Sequence, residues 1–414
     1  MSSKRIALDR TLVIGVDVAS EEHVALIRGP AGLEVGPFPI ANDRSGFCLL
    51  ASKVSDAKAA SGVAEVALAL EPTGPYGEAL ARWAKSEGWQ VLGVLGAHTK
   101  RAKELWGNSP LKSDAKDARV ICDLAVEGKW VTFSLREGAY AELKGLAIYR
   151  QQLVRKQTAL KHQTRALIYV LFPEFLGVVG RGLFKKSGLM LMERFPTPRS
   201  YATTDEDQLA LLLRRCSRGR LGKQRAQRLI SAARVSVGVS SGLKTRSWVL
   251  RQAVRRLRAL EREIAVVEAR MARWLRRIPY GACLLSMPGV GVVTAASLLG
   301  ECGDVRDYPG TGELPKFCGL NLVSFSSGKR RGRNRISKRG SGLVRHQLYL
   351  LAGRLVKQDA VWRSDYDRLR GRGAARKEAL IALSRKAVRV LFALARDSAS
   401  YASPALEENL KKAA

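Results

Sequence analysis

Acidic side chains are scarce in this chain. Across 414 residues, 37 Asp and Glu stand against 71 Lys and Arg, a formal net charge of +34. An excess of that size points to a polyanionic partner, and nucleic acid is the commonest; a membrane surface is the rival anion. Cysteine is sparse and scattered. Cys48, Cys122, Cys216, Cys283, Cys302 and Cys318 include no Cys-x-x-Cys pair, a spacing that fits neither a zinc site nor a disulfide framework. They are expected to be small core residues in a reducing compartment. His23, His98, His162 and His346 are equally dispersed, which argues against a histidine-based metal centre. Long apolar runs are missing as well. The N-terminal Met1-Ser-Ser-Lys-Arg-Ile-Ala-Leu-Asp9 lacks the apolar core of a signal peptide. The most apolar later stretch, Ala166 to Val179, is broken by Pro173 and Glu174 and is too short to span a bilayer. The expectation is a soluble, cytoplasmic, nucleoid-associated protein with no membrane partner.

Against that background, four carboxylates occupy awkward places. Asp17 falls inside the strand-like run Thr11-Leu-Val-Ile-Gly-Val-Asp-Val18, and Glu71 closes a second apolar run that begins at Val66. Asp114 and Asp117 lie three apart in Ser113-Asp-Ala-Lys-Asp-Ala-Arg119, so on a helix they share one face. Mg²⁺ takes oxygen ligands and retains several waters, so a few carboxylates and phosphate oxygens suffice to hold it. Two such ions can clamp the attacking and leaving oxygens of a phosphoryl displacement. Plain structural roles exist for each residue. Asp114 and Asp117 would complement a helix dipole with Ser113 as cap, and Glu71-Pro72 would end a strand. Taken jointly, with Asp17 in mid-strand, the four are read as a metal cluster acting on phosphate.

Residues 11 to about 125 alternate strand and helix signals. Leu12–Val18, His23–Arg28 and Leu33–Ile40 read as a meander of strands. Then come a helix (Ser45–Val54), a strand (Val63–Leu70), an amphipathic helix (Gly77–Gly88), a strand (Trp89–Leu95) and a helix (Lys100–Trp106). The order βββαβαβα allows the first and fourth strands to lie side by side at the sheet centre, bringing Asp17 and Glu71 together. That arrangement is the ribonuclease H-like fold. From about 140 to 280 the chain reads as helical and basic. Leu257, Leu260, Ile264, Val267, Met271, Trp274 and Ile278 recur at steps of three and four, the seam of a coiled coil or helix pair. The other face carries Arg255, Arg256, Arg258, Arg262, Arg270, Arg273, Arg276 and Arg277, either a solvated face or a grip on a nucleic-acid backbone. A less regular part with Pro196 and Pro198 separates the two arms. The expected fold class is therefore α/β plus α, in three parts: a ribonuclease H-like (RuvC-like) domain over 1–139, a helical spacer over 140–279, and a mainly α C-terminal domain over 280–414.

In the third part, Pro288-Gly-Val-Gly-Val-Val-Thr-Ala-Ala296 reads as a glycine turn opening an apolar helix, either a helix-hairpin-helix element or a plain turn. Residues 329 to 345 carry Lys329, Arg330, Arg331, Arg333, Arg335, Lys338, Arg339 and Arg345 with no acidic residue among them. Charge that dense can neutralise several phosphates and makes binding salt-dependent. Just ahead, Ser324-Phe-Ser-Ser-Gly-Lys-Arg-Arg-Gly-Arg333 is expected to put hydroxyls in a flexible loop. Surrounding cations would activate such a serine and hold a scissile phosphate; a Ser/Gly turn is the structural alternative. A final amphipathic helix is expected over Lys377–Ala395.

In this order, G-V-D-V, L-E-P-T-G, K-S-D-A-K-D-A-R, M-P-G-V-G-V-V-T-A, F-C-G-L, S-S-G-K and G-R-N-R-I-S-K-R-G resemble the DEDD transposases of bacterial insertion sequences, also known as bridge-RNA-guided serine recombinases. The resemblance runs from Leu12 to about Leu394, and the N-terminal part also looks like RuvC-type Holliday-junction resolvases. It implies that Asp17, Glu71, Asp114 and Asp117 bind Mg²⁺, with Mn²⁺ as an expected substitute. It implies a nucleophilic serine before the glycine of S-S-G-K, with Ser327 favoured over Ser326, forming a phosphoserine link to DNA; Ser337 is better suited to a cap. A structured guide RNA would pair with donor and target DNA, and protomers would assemble as a dimer or tetramer to complete the site. The competing readings are a Mg²⁺-dependent junction-resolving endonuclease, which needs no serine, and a non-catalytic RNA- or DNA-binding protein.

Overall fold

The computed structural model describes residues 5–72, 74–106, 114–133, 135–323, 326–327, 330–331 and 335–402. The chain divides into two compact units, Met1–Leu135 and Arg136–Ala414.

The first unit runs β1 (Thr11–Asp17), β2 (Glu22–Arg28), β3 (Glu34–Ala41), α1 (Arg44–Ser61), β4 (Glu65–Leu70), α2 (Glu78–Ser86), β5 (Gln90–Val94), α3 (Gly96–Trp106), α4 (Asp114–Val126) and β6 (Trp130–Thr132). Its six strands form one mixed sheet in the order β3-β2-β1-β4-β5-β6. β1 pairs antiparallel with β2 and parallel with β4, so the first and fourth strands are central neighbours, as their apolar runs required. Both are buried on both faces and therefore read as continuous apolar runs. β3, with Pro37 and Pro39, takes an edge, where a missing N–H costs least.

Strand alternation sorts side chains to two faces. Leu12, Ile14, Val16, Leu68 and Leu70 share a core with Phe47, Leu50 and Val54 of α1 and Leu80, Ala81 and Ala84 of α2. Val13, Ala67 and Ala69 share the opposite core with Ala102 of α3 and Ala118, Ile121, Cys122 and Ala125 of α4. A mixed six-stranded sheet followed by a mainly helical chain is consistent with a ribonuclease H-like N-terminal domain. Two details depart from expectation. α1 continues to Ser61, closing on Gly62 in the left-handed region (φ 71°). β6 had not been expected, because three residues on a sheet edge carry no readable period.

The second unit begins with α5 (Gly138–Leu171), followed by α6 (Pro173–Val179), α7 (Lys186–Arg194), α8 (Pro198–Ala202), α9 (Glu206–Ser217), α10 (Lys223–Arg234) and α11 (Leu243–Leu275). The chain continues through α12 (Gly281–Leu285), α13 (Val292–Cys302) and α14 (Glu313–Phe317). Short strands β7 (Leu322–Val323), β8 (Ser326–Ser327), β9 (Arg330–Arg331) and β10 (Arg335–Ile336) precede α15 (Gly342–Gln358), α16 (Ala360–Gly371) and α17 (Arg376–Arg396). The seam of threes and fours on α11 is an intrachain one, since α11 packs along α5. Val267, Met271 and Leu275 join Leu143, Ala147 and Leu153 of α5 in a core completed by α13, α15 and α17. The stretch read as less regular is helical instead. α6 to α10 close a second core around Phe172, Phe175 and Tyr201, whose rings pack at tilted angles after the break that Pro173 makes at the end of α5. No helix among the described residues is long and apolar enough to cross a membrane.

Candidate active site

Three of the four carboxylates come to one edge of the first sheet, on one face. β1 and β4 are parallel and end in register at Val16 and Leu70, so Asp17 and Glu71 are the next residues at the same edge. By alternation Asp17 continues the Val13-Gly15 side, and Glu71 continues the Ala67-Ala69 side. Both belong to the face covered by α3 and α4.

α4 brings the helical pair to that edge because of a glycine. A Cβ on Gly15 would lie 2.6 Å from the backbone nitrogen of Cys122 and would collide with the carbonyl of Ala118. Only glycine lets the helix settle so close to β1. Cys122 Sγ also donates to the carbonyl of Val13 (3.5 Å), and burial pushes its thiol up to about 12, so it is a core thiol rather than a ligand. With Cys122 over Val13, Ala118 over Gly15 and the carbonyl of Val126 accepting from Ile6 N–H, α4 runs antiparallel to β1. Its first turns, which carry Asp117, consequently lie at the Asp17 edge. Charges fix the far end of the helix: Arg119 Nη2 meets Glu34 Oε1 at 2.6 Å, and Arg28 bridges Glu34 and Asp123.

α3 supplies partners that the sequence reading missed. Thr99 Oγ1 donates to Glu71 Oε2 (3.2 Å), and Lys103 Nζ stands 2.5 Å from Asp117 Oδ1. Thr99 and Lys103 are one turn apart on one helix face, so Glu71 and Asp117 meet α3 at points roughly 6 Å apart along its axis. Gly96 shapes the same corner, since a Cβ there would stand 3.0 Å from Glu71 Cδ and overlap its carboxylate. Asp117 is buried, Asp17 and Glu71 half-buried. A buried carboxylate must be paired, and Lys103 fills that role.

Among the described residues no three of His, Cys, Asp and Glu are grouped closely enough to hold a metal as they stand. The residues nonetheless suit one. The donor set is all oxygen, and the ammonium of Lys103 already places a cation on Asp117. Asp114 opens α4; its side chain and the expected cap Ser113 lie outside the described residues. Of the histidines in this unit, His98 lies on α3 beside Thr99, its Nδ1 3.4 Å from the carbonyl of Lys129. His23 is fully buried on the α1 side of β2, accepting from Ala19 N–H (3.1 Å), and burial lowers its pKa.

In the second unit, the serines expected in a flexible loop belong instead to a short antiparallel ladder. Ser326 is paired in register with Arg331 and Ser327 with Arg330. β7 and β10 form a similar two-residue ladder. Two-residue strands are too short for alternation to reveal them in sequence. Lys329 and Arg333 lie outside the described residues. Arg335, Lys338 and Arg339 are exposed. Arg345, counted with the basic run, is a brace: its Nη1 donates to the carbonyls of Cys318 and Lys338 (both 3.3 Å). Ser337 Oγ accepts from Arg339 N–H (3.4 Å), a local turn contact. The glycine turn at Pro288–Gly291 joins α12 to α13, with Gly289 at φ 76°.

An acidic edge in a strongly basic chain defines a class once the comparisons are added. Residues 14–173 match the DEDD transposase family of the IS110 type, and residues 281–367 match the Transposase IS116/IS110/IS902 family. Together the matches span more than half of the chain, and the protein is a DNA transposase. It is 28% identical over 401 residues to the 43.6 kDa protein of insertion element IS110 from Streptomyces coelicolor, covering 95% of this chain and 96% of the relative. It is 26% identical over 385 residues to the 44.8 kDa protein of insertion element IS116 from Streptomyces clavuligerus, covering 93% and 94%. It is also 26% identical over 394 residues to the 42 kDa protein of insertion element IS900 from Mycobacterium paratuberculosis, covering 94% and 96%. The chain belongs to the IS110 family of DEDD transposases.

Proposed function

We propose that this transposase cuts and rejoins DNA through a carboxylate-held Mg²⁺ site and a serine nucleophile. The observation that carries the reading is the gathering of Asp17, Glu71 and Asp117 at one sheet edge, with a cation already on Asp117. In this reading 1–139 is a ribonuclease H-like domain, 140–279 a coiled-coil spacer, and 280–414 a transposase domain with a helix-hairpin-helix-like element. Asp17, Glu71, Asp114 and Asp117 hold Mg²⁺, or Mn²⁺ in its place. The ion, when bound, supplies charge neutralisation on the phosphate oxygens during in-line displacement.

Ser327, or its neighbour Ser326, attacks the DNA phosphorus. A serine Oγ–P bond forms while a P–O bond to the sugar breaks; the hydroxyl proton passes to a neighbouring base or water, and the departing sugar oxygen gains one. The phosphoserine link keeps the phosphodiester energy, so the reverse attack by a sugar hydroxyl rejoins strands without ATP. The backbone pairing of Ser327 with Arg330 sets the serine within the basic run. Lys329, Arg330, Arg331, Arg333, Arg335, Lys338 and Arg339 hold nucleic-acid backbones. A structured bridge RNA pairs with donor and target DNA, and two or more protomers compose the site at the nucleoid.

Trapping tests the reading. With DNA, guide RNA and Mg²⁺, the wild-type protein should leave a protein–DNA adduct that survives denaturant. Ser327→Ala should form none, and Asp17→Ala should lose strand cleavage altogether. A clean nick without adduct would assign the junction-resolving endonuclease class instead, and cleavage unaffected by Asp17→Ala would remove the carboxylate site from the chemistry.

A further inference from the structure

The core closed by α6 to α10 holds a cavity of about 750 Å³. Six cationic side chains line it, namely Arg181, Lys185, Lys186, Arg220, Arg225 and Arg228, and no Asp or Glu does. Among the described residues, Arg181, Lys185, Lys186, Arg225 and Arg228 form no ion pair. By contrast, Lys223 at the start of α10 does find a carboxylate, its Nζ lying 3.3 Å from Asp207 Oδ1. The six cations that line the cavity therefore face one another with no carboxylate in its wall. Val178, Leu191, Leu213 and Leu221 supply apolar wall, which concentrates the field of the cations instead of screening it.

The backbone adds to the same field. α7 and α10 both begin at the cavity, and their N-caps, Lys185 and Gly222, make no side-chain capping bond. The positive end of α7, whose first residues Lys186 and Ser187 line the cavity, therefore adds to a space that already repels cations, a combination that favours an anion. Six like charges around one concavity repel each other, and a ligand carrying more than one negative charge would offset that. A volume of this size exceeds a single phosphate and lies in the range that takes a small molecule, such as a phosphate with its sugar and base.

We propose that this cavity binds the phosphates of a nucleic-acid strand, admitting one or two nucleotides, as a site separate from the serine ladder and the carboxylate edge. The proposal rests on the transposase reading only for the identity of the polyanion. Cys216 lines the cavity and is half-buried, and Cys283, equally half-buried, lies outside it. Alkylation by a neutral thiol reagent therefore reports occupancy in the unaltered protein. A mixed-sequence single-stranded oligonucleotide, RNA or DNA, should slow alkylation of Cys216 about tenfold and leave Cys283 unchanged. Arg225→Ala with Arg228→Ala should weaken oligonucleotide binding about tenfold and reduce the slope of log affinity against log salt by about 1.4, two single-strand contacts' worth. Removing two exposed arginines of α11, Arg270→Ala with Arg273→Ala, should weaken binding by less than about threefold.

Unprotected Cys216 with oligonucleotide bound, or equal losses in the two double variants, would overturn the proposal. Protection by a nucleoside diphosphate or inorganic phosphate but not by the oligonucleotide would assign the cavity to a free phosphate ligand and overturn the strand. No strand cleavage enters these readouts. A failed cavity would leave the carboxylate–serine reading intact, and a failed adduct assay would leave the cavity intact.

Discussion

Asp17 owes its place under α4 to Gly15. Two residues apart on the same side of β1, one supplies the carboxylate and the other the empty space that admits α4. The fit is against backbone, so little can yield. Gly15→Ala should cost about 2 kcal/mol of unfolding free energy, as overpacking of a close-fitted core does, read by denaturant titration with the slope unchanged. A variant as stable as the wild type would mean that α4 does not rest on β1 as described. Asp17 itself was legible, because a charge inside a continuous apolar strand run is conspicuous whatever the fold. Lys103 was not. In sequence it is one of several cations in Lys100-Arg-Ala-Lys103, and only the crossing of α3 over α4 selects it for Asp117.

At the scale of elements, α3 is the piece on which the acidic edge turns. Thr99 and Lys103 hold Glu71 and Asp117 from one face, so the helix covers this edge, and in the proposed site the Lys103 ammonium is the stand-in for the cation on Asp117. Lys103→Met removes that stand-in and leaves a buried carboxylate without its partner, at a cost in stability. The variant should melt below the wild type in the presence of a chelator, and Mg²⁺ should raise its melting temperature by several degrees more than it raises that of the wild type. Equal Mg²⁺ shifts in both proteins would show that nothing binds where the lysine stood. Elements long enough to show a period were readable: β1, β2, β4, β5, α2 and α17 all fall close to their expected spans, and the seam read from Leu257 lies on α11, which begins earlier, at Leu243. β6 to β10 were not, since strands of two or three residues are specified by their partners across the ladder. The helices α6 to α10 were hidden by the prolines at 196 and 198. Pro198 in fact opens α8 as its first residue, with Thr197 as cap.

For the whole molecule, the charge excess is divided among distinct structures rather than spread evenly. One part lies on the exposed side of α11, one around the serine ladder, and one inside the cavity of the second unit. Among the 37 acidic residues, Asp17, Glu71 and Asp117 stand out by their place at a single sheet edge. That asymmetry was readable from composition and strand pattern together, whereas the cavity was invisible because its cations come from four separate segments. A basic protein gathers nucleic acid, and in the proposed reading a cation mediates between the acidic edge and phosphate. Titration of Mn²⁺ followed by its electron paramagnetic resonance signal examines this without DNA, RNA or turnover. The wild-type protein should take up Mn²⁺; Asp17→Asn and Glu71→Gln should each bind it about tenfold more weakly or worse, and Asp56→Asn, an exposed position on α1, should bind it as the wild type does. If Asp17→Asn bound Mn²⁺ with undiminished affinity, the carboxylates at this edge would not be its ligands.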